Sequence, residues 1–557
     1  VKLIFPLALL PLSLAVCGAA SAQTAPSAGS LNQQIEREQP PRPAKTIPDI
    51  RIDPGQAPAA PSANERKILV KQVRITGARV YPEAALLALS GFGGPGELTL
   101  SQLRAMAQNI GDHYRKHGYF LAQAYLPAQD IKDGALTIVV LEGQYGQVDL
   151  RNSAKVSDGV ARELLDGLHS GDTVAIAPLE ASLLLLSELP GVNVKSTLVP
   201  GASVGASDLI VELLPGAPVS GNVDADNQGN RYTGTNRLGA SLYLNNPSGY
   251  GDLVSVRLLT SDAGMRYGRL AYQGQIARAR AGVAYSRMQY RLGEEFAGLR
   301  ASGVATVASV YGSYPLLRSR GNNLTAQVNV DAKTFHDRSD ATASQSDKKA
   351  RLAILSLNGD ARDRFSGATT YTLSWISGDI DIPGAAARAA DAATARTNGR
   401  YDKLSFSATR QQSLSGAVSL SAGINGQLAS KNLDASEKMG LGGSGGVRAY
   451  PSGEAYGDQG YVINLETRVL LPALPERWPG RMQWIGFVDN GSVTVSRNPW
   501  APGTRHRTLS GAGFGLNWAN NGGFALSATV ARKLGNAPAL SAPDRKYRFS
   551  LQAITYF

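Results

Sequence analysis

From about residue 216 to the C-terminus, apolar residues recur with a period of two. Leu324, Ala326, Val328, Val330 and Ala332 alternate with Thr325, Gln327, Asn329, Asp331 and Lys333. The same division recurs with Leu404, Phe406 and Ala408 against Ser405, Ser407 and Thr409, and with Val418, Leu420, Ala422 and Ile424 against Ser419, Ser421, Gly423 and Asn425. This alternation predicts strands with one apolar and one wet face. A soluble sandwich alternates too, but polar residues such as Asp331 and Lys333 opposite an apolar face of full spanning length favour a transmembrane antiparallel β-barrel. About 340 residues, at roughly 20 per strand and connection, predict on the order of 16 strands, with room for a channel. The chain closes on an alternating strand with Tyr547, Phe549, Leu551, Ala553, Thr555 and Phe557 on one face. An aromatic end of this kind is how a transmembrane β-barrel finishes.

Ahead of the barrel the period changes, and one small unit occurs twice. In residues 67–143 the pattern predicts a strand over 70–76, a helix over 82–89, and a helix capped by Thr99 or Ser101. That second helix carries Leu100, Leu103, Met106, Ile110 and Tyr114 along one face and stops at Gly118. Strands over 119–126 and 135–141 follow. Residues 144–215 repeat the order: a strand over 147–151, helices over 157–168 and 177–189, strands over 192–199 and 208–214. Each unit, of roughly 75 residues, is long enough for a small α+β domain.

Residues 23–66 form a polar N-terminal segment and linker, in which Pro40, Pro41, Pro43, Pro48, Pro54, Pro58 and Pro61 argue against regular helix or sheet after Gln39. Residues 31–39 suit a short polar helix, ~15 Å long, whose plainest form is a frayed terminus. Lys2, the apolar run over 3–16 and Ala20-Ser21-Ala22 predict a signal peptide over 1–22. The run is shorter than the ~20 residues of a spanning helix. Val16 before Cys17 makes lipid attachment poorly specified, and cleavage after Ala22 leaves no cysteine, hence no disulfide or thiol chemistry.

Charged residues are 18% of the chain, below the usual ~25%. The net charge of +12 is scattered among Asp and Glu, which fits lumen and loop charge better than a nucleic-acid surface. Motif matches lose their meaning in context. Gly442-Gly443-Ser444-Gly445-Gly446 fits a hydrolase GxSxG, but no helix follows to make a nucleophile elbow. The run 91–96 fits GxGxxG, yet it follows a predicted helix, and Pro95 breaks the next, so it is a turn. His113 and His117 have the spacing of helical metal ligands but lack a third ligand nearby, which makes a solvated helix end. No catalytic, cofactor or metal site is expected.

The stretch 436–460, between two predicted strands, is too long for a hairpin turn. Its glycines permit folding back, and Arg448, a permanent cation, needs a carboxylate if taken inside a barrel. Asp489, within Phe487-Val488-Asp489-Asn490-Gly491, is either that carboxylate or a turn residue.

Here the chain resembles the two-partner secretion transporters, the haemolysin and filamentous-haemagglutinin exporters of Gram-negative outer membranes and relatives of the barrel-assembly insertase. Val447-Arg448-Ala449-Tyr450 matches the tip of that family's lumen-inserted loop, and Phe487-Val488-Asp489 matches its barrel-wall motif. Asp224 to Gly234, Tyr290-Arg291-Leu292-Gly293 and Tyr314-Pro315-Leu316 support the match. The resemblance implies two periplasmic polypeptide-transport-associated (POTRA) domains at 67–143 and 144–215, a barrel over 216–557, and an Arg448–Asp489 pair holding the loop in the pore. Phe557 would serve as the barrel-assembly signal. Implied partners are a large secreted protein bound by the POTRA domains, the barrel-assembly machinery and outer-membrane lipid. The family's glycine after the motif arginine is Ala449 here, which would strain a tip that needs φ > 0. Its plug helix is represented only by residues 31–39. The implied function is export of a large unfolded protein; an assembly factor for other barrels is the alternative, and a passive porin would not need the small domains.

Overall fold

The computed structural model describes residues 25–37, 50–52, 67–131, 133–472, 475 and 479–557. The expected signal peptide at 1–22 and most of the linker lie outside them.

Sixteen antiparallel strands, from Val219–Asp226 to Tyr547–Tyr556, close into a barrel. They run from 8 residues in the first to 19 in Ser344–Arg362, so several extend well past the ~9–11 residues a tilted spanning strand needs. The alternation sorts the two faces: Val328 and Val330 are about half exposed on the outside, while Asp331 is buried in the lumen. An outward apolar surface of this kind belongs against lipid. Three glycines of the wall are covered by an aromatic ring from the neighbouring strand, Gly359 and Gly426 on the outer face and Gly378 on the lumenal one. Tyr371 lies over Gly359, Tyr401 over Gly378 and Phe406 over Gly426. The barrel closes by pairing Asn222–Asp226 with residues 552–556, and Gly221 and Phe557 exchange hydrogen bonds of 2.9 and 3.1 Å one step beyond.

Both small domains follow the repeated β-helix-helix-β-β order. In the first, the strands Gln72–Thr76, Ala135–Leu141 and Gln123–Tyr125 form a sheet covered by α2 (Glu83–Ser90) and α3 (Leu100–Lys116), while α1 (Ala28–Arg37) lies outside both small domains. Thr99 caps α3 in a reciprocal capping box with Gln102, and Leu103, Met106, Ile110 and Tyr114 bury the expected face. The Tyr114 hydroxyl donates to Glu142 at 2.7 Å, and burial, together with that carboxylate, pushes the phenol well above its usual pKa. The expected strand over 70–76 is divided into Lys67–Val70 and Gln72–Thr76. Lys67–Val70 pairs instead with Gly96–Thr99, a strand the sequence pattern did not predict because it is only four residues long.

The second domain packs α4 (Asp158–Leu165) and α5 (Ile176–Ser187) on strands Gln144–Asn152, Val192–Pro200 and Ala206–Pro215. The linker corrects the expectation that prolines exclude a sheet. Ile50–Ile52 lies parallel to the edge strand of this domain, pairing with Ser196, Thr197 and Leu198. Pro48 and Pro54 flank those three residues rather than interrupting them, so no backbone donor is missing. The domain is fastened to the barrel's near end by side chains of the strand turns. Arg280 meets Glu188 at 2.9 Å, Arg320 meets Glu180 at 3.2 Å, and Arg318 also binds Glu188.

A long loop and a short helix in the barrel lumen

Residues 430–458, between Val418–Ala429 and Gln459–Leu470, do not leave the barrel; they turn back into its lumen. Val447 and Tyr450 are fully buried there, and Val447 N–H closes a turn onto the Leu441 carbonyl at 2.7 Å. Met439, Leu441, Val447, Ala449 and Tyr450 pack on Val462, Ile485, Phe487 and Leu509 of the wall. The Tyr450 hydroxyl donates to the Ala537 carbonyl at 2.9 Å.

The structure brings Arg448 and Asp489 together. Nε and Nη2 of Arg448 donate to the two oxygens of Asp489 at 2.9 and 2.7 Å, and the Arg448 backbone N–H adds a third bond at 3.1 Å. Asn464 donates to the same carboxylate at 2.7 Å, so Asp489, with no exposed surface, has four donors. A buried carboxylate is tolerated only when satisfied in this way. The Arg448 guanidinium also binds Glu466 and lies 3.5 Å over the Phe487 ring. Asp489 is therefore no turn residue; it sits within the strand Arg481–Thr494.

Ala449 does not adopt positive φ, so the strain expected there is absent. Its methyl instead lies where a Cβ of Gly511 would be, 2.5 Å away, and the missing side chain on the wall makes space for the one on the loop. Phe557 follows the last strand, Tyr547–Tyr556, away from the loop tip, and is mostly exposed, with its ring over Gly221. His113 and His117 sit on α3 and its C-cap, outside the lumen, their rings 4.2 Å apart.

A frayed N-terminus over residues 31–39 is corrected. The segment Ala28–Arg37 is a helix, α1, inside the barrel. At ten residues it is too short to persist alone in water, so its helicity depends on docking. Ala28, Leu31 and Ile35 pack among Tyr267, Met288, Tyr290 and Phe335. Asp337 accepts the first helical N–H, from Ala28, at 2.8 Å and the Tyr290 hydroxyl at 2.6 Å, placing a negative group at the helix N-terminus. Cavities of about 500 and 340 Å³ remain beside the helix, one lined by Gln33, Gln34 and Arg37, the other by Glu36 and Asp331.

Glu437, Lys333, Lys403, Glu466, Asn464 and Asp337 also meet in this site, and motif reasoning had not assigned them a role. Period-two alternation had marked Lys333 as lumenal; the others lacked any local signal, since their partners are distant in sequence.

A closed sixteen-strand barrel with an inserted loop and two small domains at its mouth defines a POTRA-bearing outer-membrane transporter. The model of the haemolysin secretion/activation protein ShlB/FhaC/HecB family matches residues 205–518, more than half the chain, and the chain belongs to that family. It is an outer-membrane transporter of two-partner secretion with its POTRA domains in the periplasm. A ShlB-type POTRA model matches residues 68–143. The chain is 27% identical over 522 residues to the heme/hemopexin transporter protein HuxB of Haemophilus influenzae (strain 86-028NP), covering 92% of each. It is 25% identical over 442 residues to the outer membrane transporter CdiB of Escherichia coli O6:K15:H31, covering 75% of this chain and 71% of that one. Among solved structures, CdiB from Escherichia coli superposes with a TM-score of 0.73 at 22% identity, over 90% of this chain and 93% of that chain. BamA from Haemophilus ducreyi lacking POTRA domains 1–3 gives 0.50 at 14% identity, over 88% and 100%. These two likenesses concern the fold. The family is one of transporters rather than enzymes.

Proposed function

We propose that the protein exports one large partner of the haemolysin or adhesin type, received unfolded in the periplasm and released at the cell surface. The observation that carries this reading is the occupied lumen. A loop tied by Arg448 to Asp489 and a docked α1 fill a barrel whose periplasmic end bears two small domains. An unfolded segment would dock by adding to a strand edge of those domains, since main-chain hydrogen bonds ask little of sequence. The Val192–Pro200 edge supports this, for it accepts a parallel strand from the linker. Passage requires α1 to leave and the loop to yield. Folding outside the cell then gives the movement its direction. Phe557, paired at the barrel seam, is the proposed signal for the barrel-assembly machinery, and the apolar outer face the proposed contact with outer-membrane lipid.

The test is mass spectrometry of culture medium and outer membranes from wild-type, deletion and Arg448→Ala strains. We expect one large protein to leave the medium in both mutants while other barrels, and this one in the point mutant, stay at normal levels. Depletion of other outer-membrane barrels would establish an assembly factor instead, and normal export by Arg448→Ala would refute the role given to the loop tip.

A further inference from the structure

The tip of the loop is fixed to the strands 459–470 and 481–494, whereas the limb that leads to it from Ala429 meets the wall on the other side of the strand Val418–Ala429. There Glu437, 3% exposed, lies between two lysines. Lys403 of Gly399–Ser413 reaches one carboxylate oxygen at 2.6 Å and the Glu437 carbonyl at 3.1 Å, and Lys333 of Asn322–Ser339 reaches the other oxygen at 3.2 Å. Gln427 adds a bond to the Glu437 carbonyl at 3.0 Å. Two further strands, Ser344–Arg362 and Gly367–Asp381, separate those lysines around the wall, so one carboxylate bridges non-adjacent strands. The same place holds α1. Ser436, next to Glu437, sits so close to the helix that a Cβ on Gly29 would come within 2.5 Å of its own Cβ. Lys333 shares its strand with Asp337, which accepts the Ala28 N–H.

We propose that Glu437 with Lys333 and Lys403 is a second lock in the lumen, one that couples the loop to α1. While the helix is docked, Ser436 is pressed against Gly29 and Glu437 is held between its two cations. Departure of the helix opens the cluster to water, which solvates all three ions and loosens the limb leading to the tip without disturbing Arg448. Buried ion clusters suit such a role, because their attraction is strong only while water is excluded. This inference rests on the reading of the barrel as the export conduit with α1 as its resting occupant.

The experiment is single-channel recording of the purified full-length protein in planar bilayers, comparing wild type, Glu437→Gln, Lys403→Met and Lys333→Met. Each is made also in a chain lacking residues 28–37. With α1 present, Glu437→Gln and Lys403→Met are expected to raise the open fraction roughly tenfold, the size of an ordinary coupling between sites. With α1 deleted, neither should add to the already open channel. Wild-type gating by both variants overturns the proposal, and so does an equal increment with and without α1. Heat-modifiable mobility on gels reports barrel folding; if Glu437→Gln does not fold, the lysine variants decide in the same way. Conductance is read without any secreted protein, so failure of the export reading shows separately, as unchanged medium in the deletion strain.

Discussion

Arg448→Lys keeps the charge of the loop tip and removes its geometry. In the native protein the guanidinium makes two side-chain bonds to Asp489, one to Glu466, and stacks on Phe487. A lysine ammonium is a point charge and cannot bind both oxygens in a fork while lying flat on a ring. The variant loses at least one charged hydrogen bond, ~1.5–3 kcal/mol, and the stacking, ~0.5–2 kcal/mol. With partial compensation by the remaining charge, the tip is less firmly held by about 2–4 kcal/mol, and at about 1.4 kcal/mol per decade the released population rises roughly 30- to 700-fold. Arg448→Ala leaves Asp489 buried without its cation and costs more, about 3–5 kcal/mol. The readout is the thiol-labelling rate of Ser452→Cys, a loop position 3% exposed whose hydroxyl reaches the Gln228 carbonyl at 2.8 Å. Labelling in outer membranes should accelerate in the order wild type, Lys, Ala. If the lysine variant labels at the wild-type rate while the alanine variant does not, charge alone holds the tip. If all three label alike, the pair does not hold the loop at all.

Gly511→Val would set its side chain against Ala449, since a Cβ there lies 2.5 Å from the alanine methyl, and should speed the same labelling; Ala449→Gly should restore the slow rate. Gly378→Val would collide with the Tyr401 ring, 2.3 Å from the added Cβ, and should destabilise the barrel by about 1–3 kcal/mol, read as a lower temperature for the heat-modifiable gel shift. An unchanged transition would show that the ring moves aside freely. Arg51→Pro removes a backbone donor from the middle of the linker strand and should speed amide exchange at Ser196–Leu198 by about tenfold or more, as for an edge that has lost its neighbour.

How far the pattern of residues reaches depends on the range of the interaction that makes each element. The barrel strands are legible because one face is apolar along their whole length: Val328 and Val330 against Asp331 report a period that any register error would invert. The cap of α3 is legible for the same local reason, as Thr99 or Ser101 at the head of a periodic run; the structure selects Thr99, with Gln102 completing the box. Ile50–Ile52 is not, because three residues among prolines carry no period, and only the free edge of Val192–Pro200 makes them a strand. Nor is the fate of α1 legible, since a polar ten-residue helix shows nothing of the wall that receives it. At the loop tip, spacing left Asp489 open between turn and ion partner; the decisive facts are tertiary, namely Asn464 and the Arg448 backbone converging on one carboxylate.

The two sides of the loop are held by different forces, and the difference bears on which side moves. The tip is both ion-paired and apolar: Met439, Leu441, Val447 and Tyr450 bury surface on Ile485, Phe487 and Leu509. Releasing it into a wet pore forfeits ~25 cal/mol for each Å² of that surface, with no partner in water to replace it. The limb at Glu437 is held mainly by charges and polar groups, from Lys333, Lys403 and Gln427, and its buried apolar side chain, Leu433, packs in the cluster that α1 itself completes. The polar contacts can be exchanged for water, and the net difference is small because hydration repays most of what is lost. A polypeptide entering the lumen brings water and its own polar backbone. On the proposed export route it should therefore displace that limb and α1 at far lower cost than the packed tip, and the lumen is expected to open on the side of Lys333 and Lys403 while Arg448 remains on Asp489.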